Sequence, residues 1–365
     1  MKKIVKVFVL LILISSLAGC WDATDLEELL IVYGLGIDIS NDNPDQYFFT
    51  IGFPTIIPEA PEKKHEFSTE APSLGRAKNN LQQKVYRQIS YDNIRVIIFS
   101  EEVAKQGIMV HIDSMLREPL FRGTTRFAVA IDRAVDMLTM EPPVSLFIST
   151  FLFDSIEQNY EATLVPITTL RNFSHEYYAD GIEPAMPFIC YGADKTELNV
   201  GCVALFQGDK MIEYFSGDNS RAFMLLRGEI HGGIYTFELM DGFVSINLKG
   251  GSGKIKTELI NGELHIYHDI FINCVLSEHT PKHEMLSANS IKALETQLEE
   301  KIKKSLRNAL DILQNELKND NIGYGKYVKA NHPEYFDGES WNDQFAKAII
   351  HVNPTVRIRA LGVTP

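Results

Sequence analysis

The sequence predicts an α+β chain built in more than one unit, and three observations carry this. Up to about residue 180, helical and strand patterns take turns; from Leu198 onward strands with hairpin signals dominate; one long amphipathic helix and a returning strand close the chain. The 365 residues are 45% hydrophobic and 23% charged, which supports packed cores and excludes a disordered, collagen-like or polytopic membrane protein. The formal net charge of −13 argues against a nucleic-acid binder, because phosphate contacts need clustered Lys and Arg. Four cysteines are too few for a disulfide scaffold.

The chain opens with Lys2, Lys3 and Lys6, an unbroken apolar run over 7–14, then small residues up to Gly19. This is the layout of a secretory signal peptide over 1–19. Leu17-Ala18-Gly19-Cys20 resembles the bacterial lipobox, which implies cleavage before Cys20 and acylation of its thiol, palmitate being one such chain. Two acyl chains meet the two-signal requirement for stable anchoring. Cleavage would leave 346 residues at −16, three lysines having gone. Asp22, Asp25, Glu27 and Glu28 next to the anchor would be repelled by an anionic leaflet, so lipid must hold the protein. Thr24 and Glu27 have capping-box spacing, so the tether is short, about 17 Å.

Residues 29–39 read as a strand interrupted by Gly34 and Gly36, and 47–53 as a second. Leu74, Ala77, Leu81, Val85 and Ile89 share one helical face, predicting a helix over 73–89. Residues 94–99 are an apolar strand, and Ser100 before two glutamates caps a helix to Leu116, broken near Gly107. A strand over 126–131 and helices over 132–140, 146–160 and 172–179 follow. Residues 181–197, with Pro184 and Pro187, read as loop, which sets the division of the mature chain into 20–195, with room for two subdomains, and 198–365.

In the second part, 198–206 and 210–215 flank a turn, 219–227 is a short helix stopped by Gly228, and 234–240, 243–248 and 254–260 are strands. Asn261-Gly262 is the strongest hairpin turn in the chain and leads into a strand over 264–276. Ile291, Leu294, Leu298, Ile302, Leu306, Leu310, Leu313 and Leu317 predict a helix over 287–317, roughly 46 Å long, covering one face of the sheet. Glu299 with Lys303 and Glu300 with Lys304 are spaced as exposed pairs. The strand over 347–359 contains Pro354, which suggests an edge or a bulge.

The chain holds no Gly-x-Ser-x-Gly elbow and no His-Glu-x-x-His helix. His265 and His268 fall on opposite faces of a strand and cannot chelate one ion without a bulge. No catalytic, cofactor-binding or metal residue is therefore assigned. Cys202 and Cys274 fall on apolar faces, which reads as buried structural thiols; a Cys190–Cys202 disulfide is the alternative for the first.

Gly19-Cys20-Trp21-Asp22, then Asp25 to Leu29, then Gly34-Leu35-Gly36-Ile37-Asp38 resemble the N-terminus of the Ger(x)C family, the C-subunit lipoproteins of spore germinant receptors. Ile97 to Gly107 is similar too, as are Gly201 to Phe206 with Asp209-Lys210-Met211, the run from Ser220 to Glu229, Gly323-Tyr324-Gly325-Lys326, Trp341 and the final strand. Tyr324 stands where the family usually carries Phe, and Asn321-Ile322 replaces a more acidic lead-in. The resemblance implies a three-domain α+β body on the outer face of the spore inner membrane. Its partners there would be a transporter-like membrane subunit and a second membrane subunit, together sensing nutrients and triggering germination. It carries over one functional residue, the lipid site Cys20, and no catalysis. Arg227, Gly228 and Glu229 match family positions without an assigned role; a helix stop and a local ion pair would account for them. A solute-binding lipoprotein of a transport system is the alternative; it should show two α/β lobes around a cleft.

Overall fold

A computed structural model describes Ile4 and residues 25–54, 66–142, 144, 147–192, 197–239, 242–280 and 288–360. The rest of the expected signal peptide, Cys20, Trp21 and Asp22 lie outside the described residues.

The first part of the chain alternates strands and helices. Strands β1 (Leu29–Ile31), β2 (Gly34–Ile39), β3 (Tyr47–Gly52) and β4 (Glu66–Ala71) lead to helix α1 (Leu74–Gln82). Then come β5 (Gln88–Ser90), β6 (Val96–Ser100), α2 (Glu101–Gln106), α3 (Met109–Leu116), β7 (Arg126–Ala130), α4 (Ala134–Thr139), α5 (Ile148–Glu161) and α6 (Leu170–Tyr178). Strands β8 (Ala185–Tyr191), β9 (Leu198–Gln207) and β10 (Lys210–Phe215) follow. Eight of these strands form one sheet in the order β10-β9-β8-β7-β6-β2-β3-β4, while β1 and β5 pair separately. The centre, β2-β6-β7-β8, is parallel and both flanks are antiparallel.

β6 is buried at every position, as expected of a central parallel strand: Ile97 and Phe99 face one core, Val96 and Ile98 the other. Ser100 ends it and accepts from the Val103 amide, capping α2 as the sequence predicts. The glycines of β2 have a steric reason. A Cβ on Gly34 would sit 2.3 Å from Ser149 Oγ, and one on Gly36 would sit 2.9 Å from Leu138 Cδ1. Their bare backbone lets α4 and α5 close onto the sheet.

Three local expectations change. The strand over 29–39 is two strands in different sheets. The helix over 73–89 stops at Gln82, because Ile89 belongs to β5, which pairs with β1. The stretch 181–197 contains β8: its ladder to β7 begins only at Phe188, past Pro187, so the missing N–H leaves no gap in that ladder. β8 pairs directly with β9 in the first sheet, so β9 and β10 complete that sheet.

The second sheet begins after helix α7 (Gly217–Leu226) with β11 (Ile234–Leu239), β12 (Gly242–Ile260) and β13 (Glu263–His279). Helices α8 (Ala288–Asp311), α9 (Tyr324–Asn331) and α10 (Trp341–Lys347) precede β14 (Ile349–Ala360). The order is β11-β12-β13-β14, with β14 parallel to β13 and at the edge. The two strands expected over 243–260 are one, bulged between Leu248 and Gly251. Asn261 and Gly262 both take positive φ, 52° and 85°, as a two-residue turn of this kind requires.

The leucine stripe of α8 covers the inner face of this sheet: Leu294, Leu298, Ile302, Leu306 and Leu310 share its core. The α-helix ends at Asp311, and a π-helical turn over Ile312–Leu317 replaces its expected last turn. From that turn Gln314 donates to the carbonyls of Phe345 and Ala348. Glu299 does not serve as a surface partner of Lys303. It accepts from the Val356 amide, and Glu295 accepts from the Ile358 amide, so the helix satisfies the outer edge of β14.

One face of the large sheet buries α1, α2, α3 and α6, while the opposite face is shared. α4 and α5 cover one part of it; α7 and the second sheet cover Ala185, Val203 and Leu205. The two sheets thus share a core, and their junction is buried.

Candidate functional site at the junction between the sheets

The junction is polar as well as apolar. Asn319, Asp320 and Asn321 are fully buried in the segment between α8 and α9. Buried polar groups persist only when hydrogen-bonded, and here each is. Asn319 and Asn321 donate to the Phe206 carbonyl at 2.7 and 2.9 Å, and Asn321 also to Pro184 at 2.8 Å. This segment therefore seals the end of the large sheet where β8 begins and β9 ends.

Asp320 organises the other side. Its carboxylate accepts from the amides of Ile322, Gly323 and Gly325 and from Trp341 Nε1, at 2.8–3.2 Å. Burial raises its pKa, and the hydrogen bonds from the Gly325 amide, Trp341 Nε1 and the Gly323 amide oppose that rise. Its own carbonyl takes the Glu183 amide, whose side chain accepts from Gly208 and Asn342. Close by, Gly181 and Gly325 meet backbone to backbone: a Cβ on either would lie 2.4 Å from the other residue's main chain.

Arg227 connects this segment to α6. α7 closes with Gly228 at φ +72°, the Glu229 amide reaching the Met224 carbonyl and the Gly228 amide that of Leu225. That is the Schellman arrangement, so Gly228 is the helix stop the sequence suggests. The stop points Arg227 inward, where its guanidinium pairs with Glu229 at 2.9 Å, with Glu176 of α6, and with the Asn321 carbonyl at 3.1 Å. Burial works to lower the Arg227 pKa, but the two carboxylates outweigh it and raise it. Lys326 is lowered by burial and by the Arg227 charge. A cavity of about 330 Å³ opens beside Arg227, Glu176 and Glu229, with Tyr160, Thr168 and Asn172 on its wall.

The buried histidine of this region is His268, whose Nδ1 lies 2.9 Å from the Tyr324 hydroxyl; burial pushes its pKa down to about 4, so the ring is neutral. His265 faces outward beside His351 instead, 3.3 Å between ring nitrogens. His265 and His268 thus fall on opposite faces of β13, as a strand dictates. Among the described residues, no three His, Cys, Asp or Glu side chains are grouped to hold a metal.

A second hollow, about 420 Å³, lies at the carboxyl ends of β2, β6 and β7, lined by Asp38, Ser100, Glu101 and Arg133. Asp38 accepts from the Ala134 and Val135 amides and so caps α4; burial raises its pKa to about 6. Glu101 pairs with Lys105 at 2.5 Å. Asp38 and Glu101 are thus held by structural partners.

Of the residues singled out in the sequence, Arg227, Gly228, Glu229, Gly323, Tyr324, Gly325 and Trp341 converge on the junction. Cys20 lies outside the described residues. Sequence reasoning missed Glu176, Glu183, Asn319 and Asp320, because a polar residue on a helix or in a connection looks like exposed surface. The one available signal was Trp341, which needs an acceptor when buried. What the junction can do is mechanical: its carboxylates and amides are engaged with one another, locking the second sheet to the first.

Comparisons with known proteins agree with this architecture. The family described as "Spore germination protein N-terminal domain" matches residues 22–190, and "Spore germination B3/GerAC like, C-terminal" matches 202–362. Spore germination protein B3 of Bacillus subtilis (strain 168) is 22% identical over 377 residues, covering 99% of both chains. Spore germination protein A3 of the same organism is 22% identical over 378 residues, covering 98% of each. The crystal structure of the GerBC protein superposes with a TM-score of 0.57 at 18% identity, covering 89% of this chain and 97% of that one, which shows the shared multi-domain α+β fold. The two family matches leave little of the chain unaccounted for: it belongs to the GerAC-like, or Ger(x)C, family of spore germination proteins.

Proposed function

We propose that this chain is the lipid-anchored subunit of a nutrient germinant receptor and acts in triggering germination without chemistry of its own. The observation that carries the reading is the match of both family domains, in order, in a chain whose Leu17-Ala18-Gly19-Cys20 resembles a lipobox. Acyl chains on Cys20 hold the protein to the outer face of the spore inner membrane. Among the described residues no helix is long and apolar enough to cross a membrane. Its partners are a transporter-like membrane subunit and a second membrane subunit of the receptor. The locked junction supports a body that passes force or position between partners as one piece. As a division of the chain, 20–195 and 198–365 is kept for its sequence units, with the first sheet completed from both.

Spores of a strain lacking this chain and its paralogues should lose the response to at least one nutrient while still germinating with a non-nutrient trigger. The tagged protein should co-purify with two membrane proteins from detergent extracts. Normal responses to every nutrient, or purification alone, would refute the reading. Cys20→Ala should move the chain from the membrane to the soluble fraction in cells lacking those partners.

A further inference from the structure

Two cysteines meet where the matched N-terminal family region ends and the C-terminal one begins. Cys190 lies on β8 and Cys202 on β9, both free, with sulfurs 3.1 Å apart. The strands pair Phe188 with Cys202 and Cys190 with Asn199, so β9 carries one extra residue between them. This bulge slides Cys190 diagonally toward Cys202 on the shared face of the ladder. Cys202 is buried at 3% exposure, whereas Cys190 is half-buried and reachable from solvent. Cys274 is buried on β13 of the other sheet, its sulfur directed at the Arg357 carbonyl, and is no rival partner.

We propose that Cys190 and Cys202 form a redox-active pair, a modification site at which an external disulfide oxidises the chain and staples β8 to β9. A disulfide needs the sulfurs at about 2.05 Å, so closure asks for a movement of about 1 Å. The reaction is thiol–disulfide exchange. Cys190 loses its proton and its Sγ attacks one sulfur of the oxidant's disulfide, whose other sulfur leaves as a thiolate and is protonated. Cys202, deprotonated in turn, attacks Cys190 Sγ and expels the second oxidant sulfur. The chain gives up two protons and two electrons, and the oxidant becomes two thiols. The bond closes the loop from 190 to 202 and ties the end of the first family region to the start of the second.

The test uses the full-length chain in detergent, reduced and then equilibrated with mixtures of reduced and oxidised glutathione, acid-quenched, alkylated and cut with trypsin. Lys195 separates the two cysteines, so a bond joins the peptides 172–195 and 196–210. The expected product is that linked pair, two hydrogens lighter than its separate parts, appearing as the glutathione ratio turns oxidising. Cys274 should stay alkylatable throughout. Cys202→Ser should instead accumulate a glutathione adduct on Cys190, because the resolving thiol is gone, and Cys190→Ser should leave Cys202 largely unmodified. Both thiols still alkylatable in fully oxidised glutathione would overturn the proposal. So would linkage of either cysteine to Cys274 or to a second copy. The wild-type readout does not depend on either variant folding.

Discussion

Replacing Asp320 by Asn changes one atom type at the centre of the junction, and its cost can be worked from the contacts. One carboxylate oxygen takes the Ile322 and Gly323 amides; the other takes the Gly325 amide and Trp341 Nε1. Asparagine offers one acceptor oxygen, so whichever way its amide turns, two buried donors face an NH₂ group. A hydrogen bond to a charged group contributes about 1.5–3 kcal/mol, so the loss is about 3–6 kcal/mol before relief from burying the charge. Trp341→Phe removes one of the same donors. In a double-mutant cycle the two substitutions should couple by about 1.5–3 kcal/mol, well beyond the additivity of distant sites. The assay is urea unfolding of the full-length chain in detergent, followed by far-UV circular dichroism, because Trp341 is one of only two tryptophans. A D320N variant within 1 kcal/mol of wild type, or additive substitutions, would refute the claim that this carboxylate holds the junction.

Other outcomes follow from the same contacts. Gly325→Ala places a methyl 2.4 Å from Gly181 Cα and 2.6 Å from the Trp341 ring, where only backbone and a locked indole could yield; unfolding should show at least about 1–3 kcal/mol of lost stability, with faster proteolysis between the sheets. The double substitution Glu295→Ala, Glu299→Ala strips the acceptors from the Val356 and Ile358 amides, and size-exclusion chromatography should show concentration-dependent association through the bared edge of β14. Asp38, with a folded pKa near 6 against 3.8, binds its proton more tightly folded than unfolded. Its contribution is therefore greatest below about pH 4 and falls as pH rises to about 6, by at most roughly 3 kcal/mol. Asp38→Asn should remove that slope from unfolding free energies measured between pH 4 and 7.

Much of the local structure was legible because its causes are local. Ser100 caps α2 since a short hydroxyl can reach the third amide beyond it. Asn261-Gly262 turns the chain since both residues tolerate positive φ. Pro354 marks β14 as an edge strand since it has no N–H for a further neighbour. The errors have equally definite causes. β8 was hidden by Pro184 and Pro187, whose rule against strands fails when the neighbouring ladder starts one residue later. Ile89 kept helical spacing but was drawn into a two-stranded pairing. Glu299 looked like half of a surface ion pair; the unsatisfied edge of β14 was the stronger claimant.

By itself the sequence determined the α+β class, the long sheet-covering helix and the family resemblance. These depend on period, turn chemistry and ordered short motifs, all readable within a few residues. Only the tertiary structure decided that β9 and β10 complete the first sheet and that Asp320 and Arg227 bind the second sheet to it. It alone also brought the Cys190 and Cys202 sulfurs within 3.1 Å of each other. The physical reason is common to all three: a buried donor or acceptor must find a partner, a sulfur must find its neighbour across a bulge, and those partners lie in other elements.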